Sequence, residues 1–349
     1  MKVLLLAPPN DGHALRVAHE LEQLQINTEF LLFQQLLHNS HIKLAYRSDG
    51  ANLAFTTADG KHIELDQYGS IWYRRPGTIP AQRFDQIWVQ QFVDQETNHT
   101  LFGALNAIPS LWVNHPAKDQ QCLLKLQQLR VAASCGLKVP DTLVTNDPVE
   151  VMQFYEDCEQ QVVYKVISEN SSQLIPLYEM PAGIPTLPLR EFDFQYLEQV
   201  KFGPHLFQRR IKKSYDVRTT IIGKKIFSIR IDSQEGKGKL DWRQDYSVPM
   251  TECQLPDDVA QACLLLMQRF GLNYGALDFC VTPEGEFYFL EINCAGQYLW
   301  IEQRTGMPIS RELAKLLAGK AEPLVDTRTL THPVVIPHQF ATTLISPNR

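Results

Sequence analysis

The sequence predicts a mixed α/β and α+β protein: an open α/β layer at the amino end, then strands that close on a hairpin carrying two carboxylates. Three observations predict it. The first stretch alternates strand and helix patterns. "HLFQRRI", "DVRTTIIG" and "KIFSIRID" follow one another as apolar strands. "YGALDFCV" and "EFYFLEIN" flank the turn "TPEG".

Taken in order, "KVLLLA" is the first buried strand; it is too short for a signal-peptide core and has no small-residue cleavage site. "ALRVAHELEQL" has a helical pattern and "TEFLLF" is a strand. "SIWYRRP" is a strand ending at Pro76, "DQETNHTLFGALNAI" a helix, and "WVNHPAKD" a boundary. "QCLLKLQQLRVAASCG" reads as one helix with Cys122, Leu126, Leu129 and Ala133 on one face and Gly136 as its stop. Strand "TLVTND", a helix near "PVEVMQFYED" and strand "QVVYKVIS" come next. Residues 176–188 hold four prolines and predict a mobile loop. A helix over 257–270 buries Val259, Cys263, Leu266, Met267 and Phe270, with acidic residues in its first turn and Gly271 after its end. The chain after Lys320 predicts an irregular appendage. The expected divisions are 1–115, 116–205, 206–320 and 321–349.

Composition narrows the function. The 349 residues suffice for two or three domains with sizeable cores, and 44% hydrophobic with 21% charged residues is ordinary for a soluble globular chain. A net charge of -6 argues against a nucleic-acid surface. No apolar run reaches the roughly 18 residues of a membrane span. Seven cysteines, an odd number without CxxC spacing, predict reduced thiols in a cytoplasmic protein.

The hairpin carries the chemistry. If Glu284 and Gly285 form a two-residue loop, Pro283 pairs with Glu286 and Asp278 falls directly opposite Glu291. Alternation puts Asn293 on the same face as Glu291. Like charges directly opposed on a strand pair are destabilising, more so when buried. A divalent cation removes the conflict, and three hard-oxygen ligands suit Mg²⁺ or Mn²⁺, which share their remaining positions with phosphates. Removing one carboxylate should then stabilise the metal-free chain. The plainer alternative is one carboxylate neutralised by a lysine on an exposed strand. Two lysines upstream are candidates for phosphate. Lys165 lies among apolar residues in "VVYKVIS", with a solvent-facing lysine as the alternative. Lys125 lies in an amphipathic helix, where a solvated face is the stronger alternative. Neither a Walker-type nor a Rossmann-type glycine motif occurs.

With these residues assembled, the chain resembles the ATP-grasp superfamily of carboxylate–amine ligases, and within it the graspetide (microviridin-type) peptide ligases. The motifs that carry the resemblance are "WYRRP" (72–76), "WVNHPAKDQQCLLKLQQLRVAASCGLKVPDTLVTND" (112–147), "YKVIS" (164–168), "LFQRRIKKSYDVRTTIIGKKIFSIRIDSQ" (206–234), "LDWR" (240–243), "YGALDF" (274–279) and "LEINCAGQYLWIEQRTGMPI" (290–309). The resemblance implies an ATP-grasp fold of two α+β subdomains preceded by an open α/β pre-ATP-grasp domain. It implies that Lys125 and Lys165 contact the adenine side and phosphates of ATP, and that the backbone of Gln208, Arg209, Arg210 and Ile211 binds adenine. Asp278, Glu291 and Asn293 would hold two Mg²⁺ ions. A substrate carboxylate would attack the γ-phosphate, and a hydroxyl or amine would then displace phosphate from the acylphosphate.

The chain departs from the superfamily pattern in places. Ala276 stands where many members carry an arginine, so Arg218 and Arg243 become the candidates for stabilising the acylphosphate, with surface salt bridges as the alternative. The run "QRRIKKS" lacks the carboxylate that often contacts ribose. "SENSSQ" after Lys165 lacks glycine, and Cys294 replaces a common proline.

The implied function is an ATP-dependent macrocyclase joining Asp or Glu side chains of a ribosomal precursor peptide to Thr/Ser or Lys. Acidic acceptors would account for Arg218, Arg230 and Arg243 near the centre. The alternatives are a RimK-like ligase that adds glutamate or another amino acid, and a non-catalytic nucleotide sensor. Within "LREFDFQYLEQV" (189–200) a basic leader helix could dock, or the segment is an ordinary acidic surface helix. The expected partners are a precursor peptide (leader plus acidic core) and a second copy in a homodimer, with neither nucleic acid nor membrane.

Overall fold

The computed structural model describes residues 1–33, 40–48, 50–77, 84–168 and 185–328. Of the loop expected over 176–188, residues 176–184 lie outside them, as do the "SENSSQ" segment beyond Ser168 and the chain after Arg328; the end of that loop, Leu187–Pro188, is a short strand.

The amino-terminal unit runs β1 (Lys2–Leu6), α1 (Gly12–Gln23), β2 (Asn27–Leu31), β3 (His41–Arg47), β4 (Gly50–Thr56), β5 (His62–Glu64), β6 (Tyr68–Tyr73), α2 (Ile87–Asn106) and β7 (Leu111–Val113). The parallel sheet has the order β2-β1-β6-β7. β1 is apolar after Lys2 because a central parallel strand is covered on both faces. Val3 and Leu5 pack on Ala14, Val17 and Leu21 of α1, while Leu4 and Leu6 pack on Leu101, Ala104 and Leu105 of α2. The open α/β reading is incomplete here: β3, β4 and β5 form a separate antiparallel meander.

The next unit contains α3 (Pro116–Cys122), α4 (Lys125–Ser134), β8 (Thr142–Thr145), α5 (Pro148–Asp157), β9 (Val162–Lys165), β10 (Leu187–Pro188), a run of 3-10 turns over Glu191–Phe202, and β11 (His205–Arg209). Its sheet order is β10-β9-β11-β8. The single helix expected over 121–135 is two helices broken at Leu123 and Leu124. The buried face of α4 is Gln128, Leu129 and Ala132; Leu126 is half exposed, and Ala133 also faces solvent. The break changes the helical phase, and the pattern read across it therefore assigns the wrong face.

The last unit contains β12 (Tyr215–Ile222), β13 (Lys225–Ile231), β14 (Met250–Cys253), α6 (Asp257–Phe270), β15 (Tyr274–Val281), β16 (Phe287–Asn293), α7 (Leu299–Thr305) and α8 (Ile309–Leu317). Its sheet order is β14-β13-β12-β15-β16, antiparallel throughout. Helices α6 and α4 cover one face of it. On the other face, α7 and α8 share a continuous core with β1 and α1. The first and last units are therefore packed as one body. Residues 321–328 form no helix or strand but are tied down: Thr327 Oγ1 accepts from Trp112 N–H at 2.7 Å and donates to the Ser110 carbonyl. Among the described residues no helix is long and apolar enough to cross a membrane.

Candidate active site

All eight residues of β15 are buried, whereas β16 is the sheet edge. Asp278 lies opposite Glu291 and Ala276 opposite Asn293. The route to that register differs from the two-residue turn expected. Val281 pairs with Phe287, and Thr282 N–H donates to the Glu286 carbonyl, so Pro283, Glu284 and Gly285 form a three-residue loop with Gly285 at φ +83°. A β-bulge at Leu290 then restores the pairing of Asp278 with Glu291. Leu290 and Glu291, adjacent in sequence, consequently line the same cavity.

Helix α4 covers the outer edge of this hairpin. Gln128 Nε2 donates to the Ile292 carbonyl at 2.9 Å, and its Oε1 accepts from Ile292 N–H at 3.0 Å. One turn earlier on α4, Lys125 Nζ is 3.3 Å from Glu291 Oε2. The sequence reading missed Gln128, although a glutamine beside Leu129 and Ala132 on the buried face is a detectable signal once the phase of α4 is correct.

The carboxylates already have cationic partners. Arg218 Nη1 donates to Asp278 Oδ2 at 2.6 Å from the adjacent strand β12. Arg243 forms a two-pronged pair with Asp241 (2.8 and 2.7 Å) and reaches within 4.0 Å of Glu291. Burial pushes the Asp278 carboxyl up to about 6, with Arg218 opposing and Glu291 adding to the rise. For Glu291, burial is outweighed by Lys125, Arg243 and Lys165, which hold it below the usual carboxylate range. Burial, helped by Lys125 and opposed by Glu291, lowers Lys165. The expectation that removing a carboxylate would stabilise the metal-free chain is therefore corrected. The lysine-neutralised alternative is realised alongside the opposed pair, so losing Glu291 takes the carboxylate partner from Lys125, while Arg243 keeps Asp241.

The donor set suits a hard divalent cation. Asp278 Oδ1 is buried with no hydrogen-bond partner among the described residues. Glu291 and the Asn293 amide add oxygen donors on the facing strand. Among the described residues no group of three or more His, Cys, Asp or Glu is arranged as a metal site. A cation here would thus rely on two carboxylates and an amide, with its other positions filled by water and phosphate, as Mg²⁺ prefers.

Two connected cavities border the hairpin. A cavity of about 60 Å³ is lined by Lys125, Lys165, Asp241, Arg243, Asp278 and Glu291, among others. A larger one of about 290 Å³ is lined by Lys165, Gln208, Arg209, Arg210 and Ile211. Lys165, Thr186, Leu240 and Leu290 line both. Two predicted residues line neither. Arg218 is buried behind Asp278, and Asn293 Oδ1 accepts from Ala295 N–H at 2.9 Å. Arg230 is outside the site: it pairs with Asp232 and lies over the Tyr215 ring at 4.1 Å. At the hinge, the N–H groups of Arg209 and Arg210 are taken by the carbonyls of Asp141 and Gln161. The Arg209 guanidinium turns to Asp141. Among the described residues nothing accepts from Ile211 N–H. A ligand there is left with that amide and the outward carbonyls.

The place of Ala276 has a structural reason. A Cβ on Gly296 would stand 2.3 Å from Ala276 Cβ and 2.6 Å from Arg218 Nη2. The loop after Asn293 lies flat against this spot, and Arg218 enters from the neighbouring strand.

Paired carboxylates on a hairpin wall, beside two cavities that share a lysine and lie between two α+β units, are the arrangement expected of nucleotide-dependent ligases. Solved structures agree. The macrocyclase MdnC from Microcystis aeruginosa MRC, bound with precursor peptide MdnA, superposes with a TM-score of 0.78 and 29% identity, covering 91% of this chain and 100% of that one. A RiPP-associated ATP-grasp ligase from Chryseobacterium gregarium, in complex with ADP and a leader and core peptide, gives 0.82 and 26%, covering 93% and 98%. Macrocyclase MdnB from Microcystis aeruginosa MRC gives 0.74 and 25%, covering 90% and 98%. No protein-family model and no curated protein sequence matches the chain. The chain is an ATP-grasp ligase and hence an ATP-dependent enzyme.

Proposed function

We propose that the chain is a peptide macrocyclase of graspetide type. It activates Asp or Glu side chains of a ribosomal precursor as acylphosphates and closes esters to Thr/Ser or amides to Lys. One observation carries the reading: Asp278 and Glu291 face each other on the wall of a cleft that Lys165 joins to a nucleotide-sized cavity, with Arg243 beside them. The likeness to ligases solved with precursor peptides supports the substrate class.

In this reading the hinge over 208–211 seats adenine, and Lys165 lies along the phosphates. Asp278, Glu291 and Asn293 would hold Mg²⁺, two ions in the resemblance, which when bound offsets charge on the β- and γ-phosphates. A substrate carboxylate oxygen attacks the γ-phosphorus, and the bond to the β-phosphate oxygen breaks to release ADP. The acceptor hydroxyl or amine then attacks the acyl carbon, loses its proton, and phosphate leaves. Arg243 is half exposed at the cleft and can meet the acyl group. Arg218 keeps Asp278 charged and in place.

A third cavity, about 400 Å³, lies between Tyr164, Leu189, Arg190, Tyr196, His205 and Phe207. In the adjoining turns Phe194 packs on Tyr155, while Phe192 and Tyr196 are exposed among Glu191, Asp193 and Glu198. This apolar, acidic-rimmed surface suits a basic amphipathic leader.

The test is mass spectrometry of a cognate precursor incubated with the protein, ATP and Mg²⁺. Macrocyclisation removes one water per bond, and Arg243→Ala abolishes it while ATP still binds. A gain of an amino-acid mass would establish the RimK-like alternative instead.

A further inference from the structure

The loop over 294–298 leaves the hairpin directly after Asn293 and is gripped mainly from the amino-terminal unit. Arg74 Nη1 donates to the carbonyls of Ala295 and, at 3.5 Å, Gly296. Arg75 Nη2 donates to the same Ala295 carbonyl at 3.2 Å. His13 Nε2 accepts from the N–H groups of Tyr298 and Leu299 at 3.0 and 3.2 Å. Tyr274 adds a hydroxyl bond to the Gly296 carbonyl at 2.6 Å. The opposite side of the Ala295 residue, its N–H, is the group that holds Asn293 Oδ1.

We infer that Arg74 and Arg75 are positioning residues for the Asn293 amide, acting through the backbone of Ala295. This rests on the cation-site reading of Asp278, Glu291 and Asn293 given above. An amide oxygen has two lone pairs. The Ala295 N–H occupies one and fixes which amide atom faces it, leaving the other lone pair for a cation. Both arginines anchor the Ala295 carbonyl and, through the φ and ψ of Ala295, restrain the neighbouring peptide unit that carries its N–H, from more than two hundred positions away in sequence.

Arg74 is costly for a purely structural clasp. It is only 2% exposed, its Nε and Nη2 have no hydrogen-bond partner among the described residues, and its nearest carboxylate, Asp11, is 3.7 Å away. Burying an incompletely bonded guanidinium is unfavourable, and an apolar side chain could pack there more favourably. What an apolar residue could not do is hold a carbonyl. Supporting residues of this kind typically change metal affinity by about tenfold to a hundredfold.

The test uses the full chain with β,γ-imido-ATP and follows Mn²⁺ binding by electron paramagnetic resonance. Arg74→Lys and Arg75→Ala should each weaken Mn²⁺, about tenfold or more for Arg74→Lys. Neither should weaken it further in an Asn293→Ala background. Arg75 is exposed, so Arg75→Ala keeps the test intact if Arg74→Lys does not fold. Parental Mn²⁺ affinity in both arginine variants, with Asn293→Ala impaired, overturns the inference and leaves the cation site standing. Equal weakening with or without Asn293 also overturns it. Parental affinity in Asn293→Ala overturns the cation-site reading and the inference together.

Discussion

The two ends of the cleft are built on different principles. At the hinge end, Lys165, Arg209, Arg210, Lys212, Lys213 and Lys239 line the cavity, and no carboxylate among the described residues does, although Arg209 and Lys213 pair with Asp141 and Asp216 outside it. At the hairpin end both signs are present and nearly every charge has a partner within 4 Å. An excess of one sign attracts a polyanion through the summed field without demanding exact geometry. A set of buried pairs does the reverse: it fixes geometry, and losing one member leaves a stranded charge. Changes at the hinge should therefore act on nucleotide affinity, and changes at the hairpin on stability and chemistry together.

The sharpest way to break that contrast is Arg218→Met. It leaves Asp278 buried without its 2.6 Å partner, and urea unfolding should show a loss of about 3 to 5 kcal/mol. A loss below about 1 kcal/mol would mean the pair is not a structural support of the hairpin.

The hairpin's exit can be probed by pH. Burial lowers His13 to about 4 from 6.5, Arg74 and Arg75 reinforcing and Asp11 opposing. The folded chain thus binds fewer protons than the unfolded one between these values. The stability that His13 contributes is complete above pH 6.5 and is lost as pH falls towards 4, roughly 3 kcal/mol in all. His13→Gln should lack this component, and identical pH–stability curves for parent and variant would refute it.

Lys165→Ala tests the border between the two ends. ATP affinity should fall by about 1.5 to 3 kcal/mol while adenosine affinity holds, measured by calorimetric titration. Equal losses for both ligands would make Lys165 a packing residue. The smallest effect expected is on Glu291→Gln, a destabilisation of about 1 kcal/mol in metal-free protein, because Lys125 loses its partner. A raised thermal midpoint would restore the view that the opposed carboxylates are unrelieved without a cation.

Local pattern made part of this legible. β1, α6 and the β15–β16 hairpin follow apolar periodicity and turn residues, and Lys165 stands out as a cation in an apolar strand. The facing of Asp278 and Glu291 was legible from the even span between them, although the two-residue turn assumed for it is a three-residue loop with a bulge. Long-range contacts left no local mark: Gln128 meets Ile292 across 164 positions and Arg74 meets Ala295 across 221. The break at Leu123 and Leu124 has neither Gly nor Pro to announce it. Arg230 was misplaced because strand alternation gives a face but not which face lines the cleft.

The bulge at Leu290 separates what counting can establish from what it cannot. Twelve residues (279–290) separate the two carboxylates. That even span is satisfied by a two-residue turn with an unbroken ladder, or by a three-residue turn with one residue bulged out. Both routes leave Asp278 facing Glu291, so the parity of the span protects the carboxylate geometry against variation in the turn. Only the second route sends two neighbouring side chains of β16 into the cleft, placing the Leu290 isobutyl group where the two cavities meet. The hairpin thereby supplies an apolar divider as well as a charge, at the junction of the two cavities.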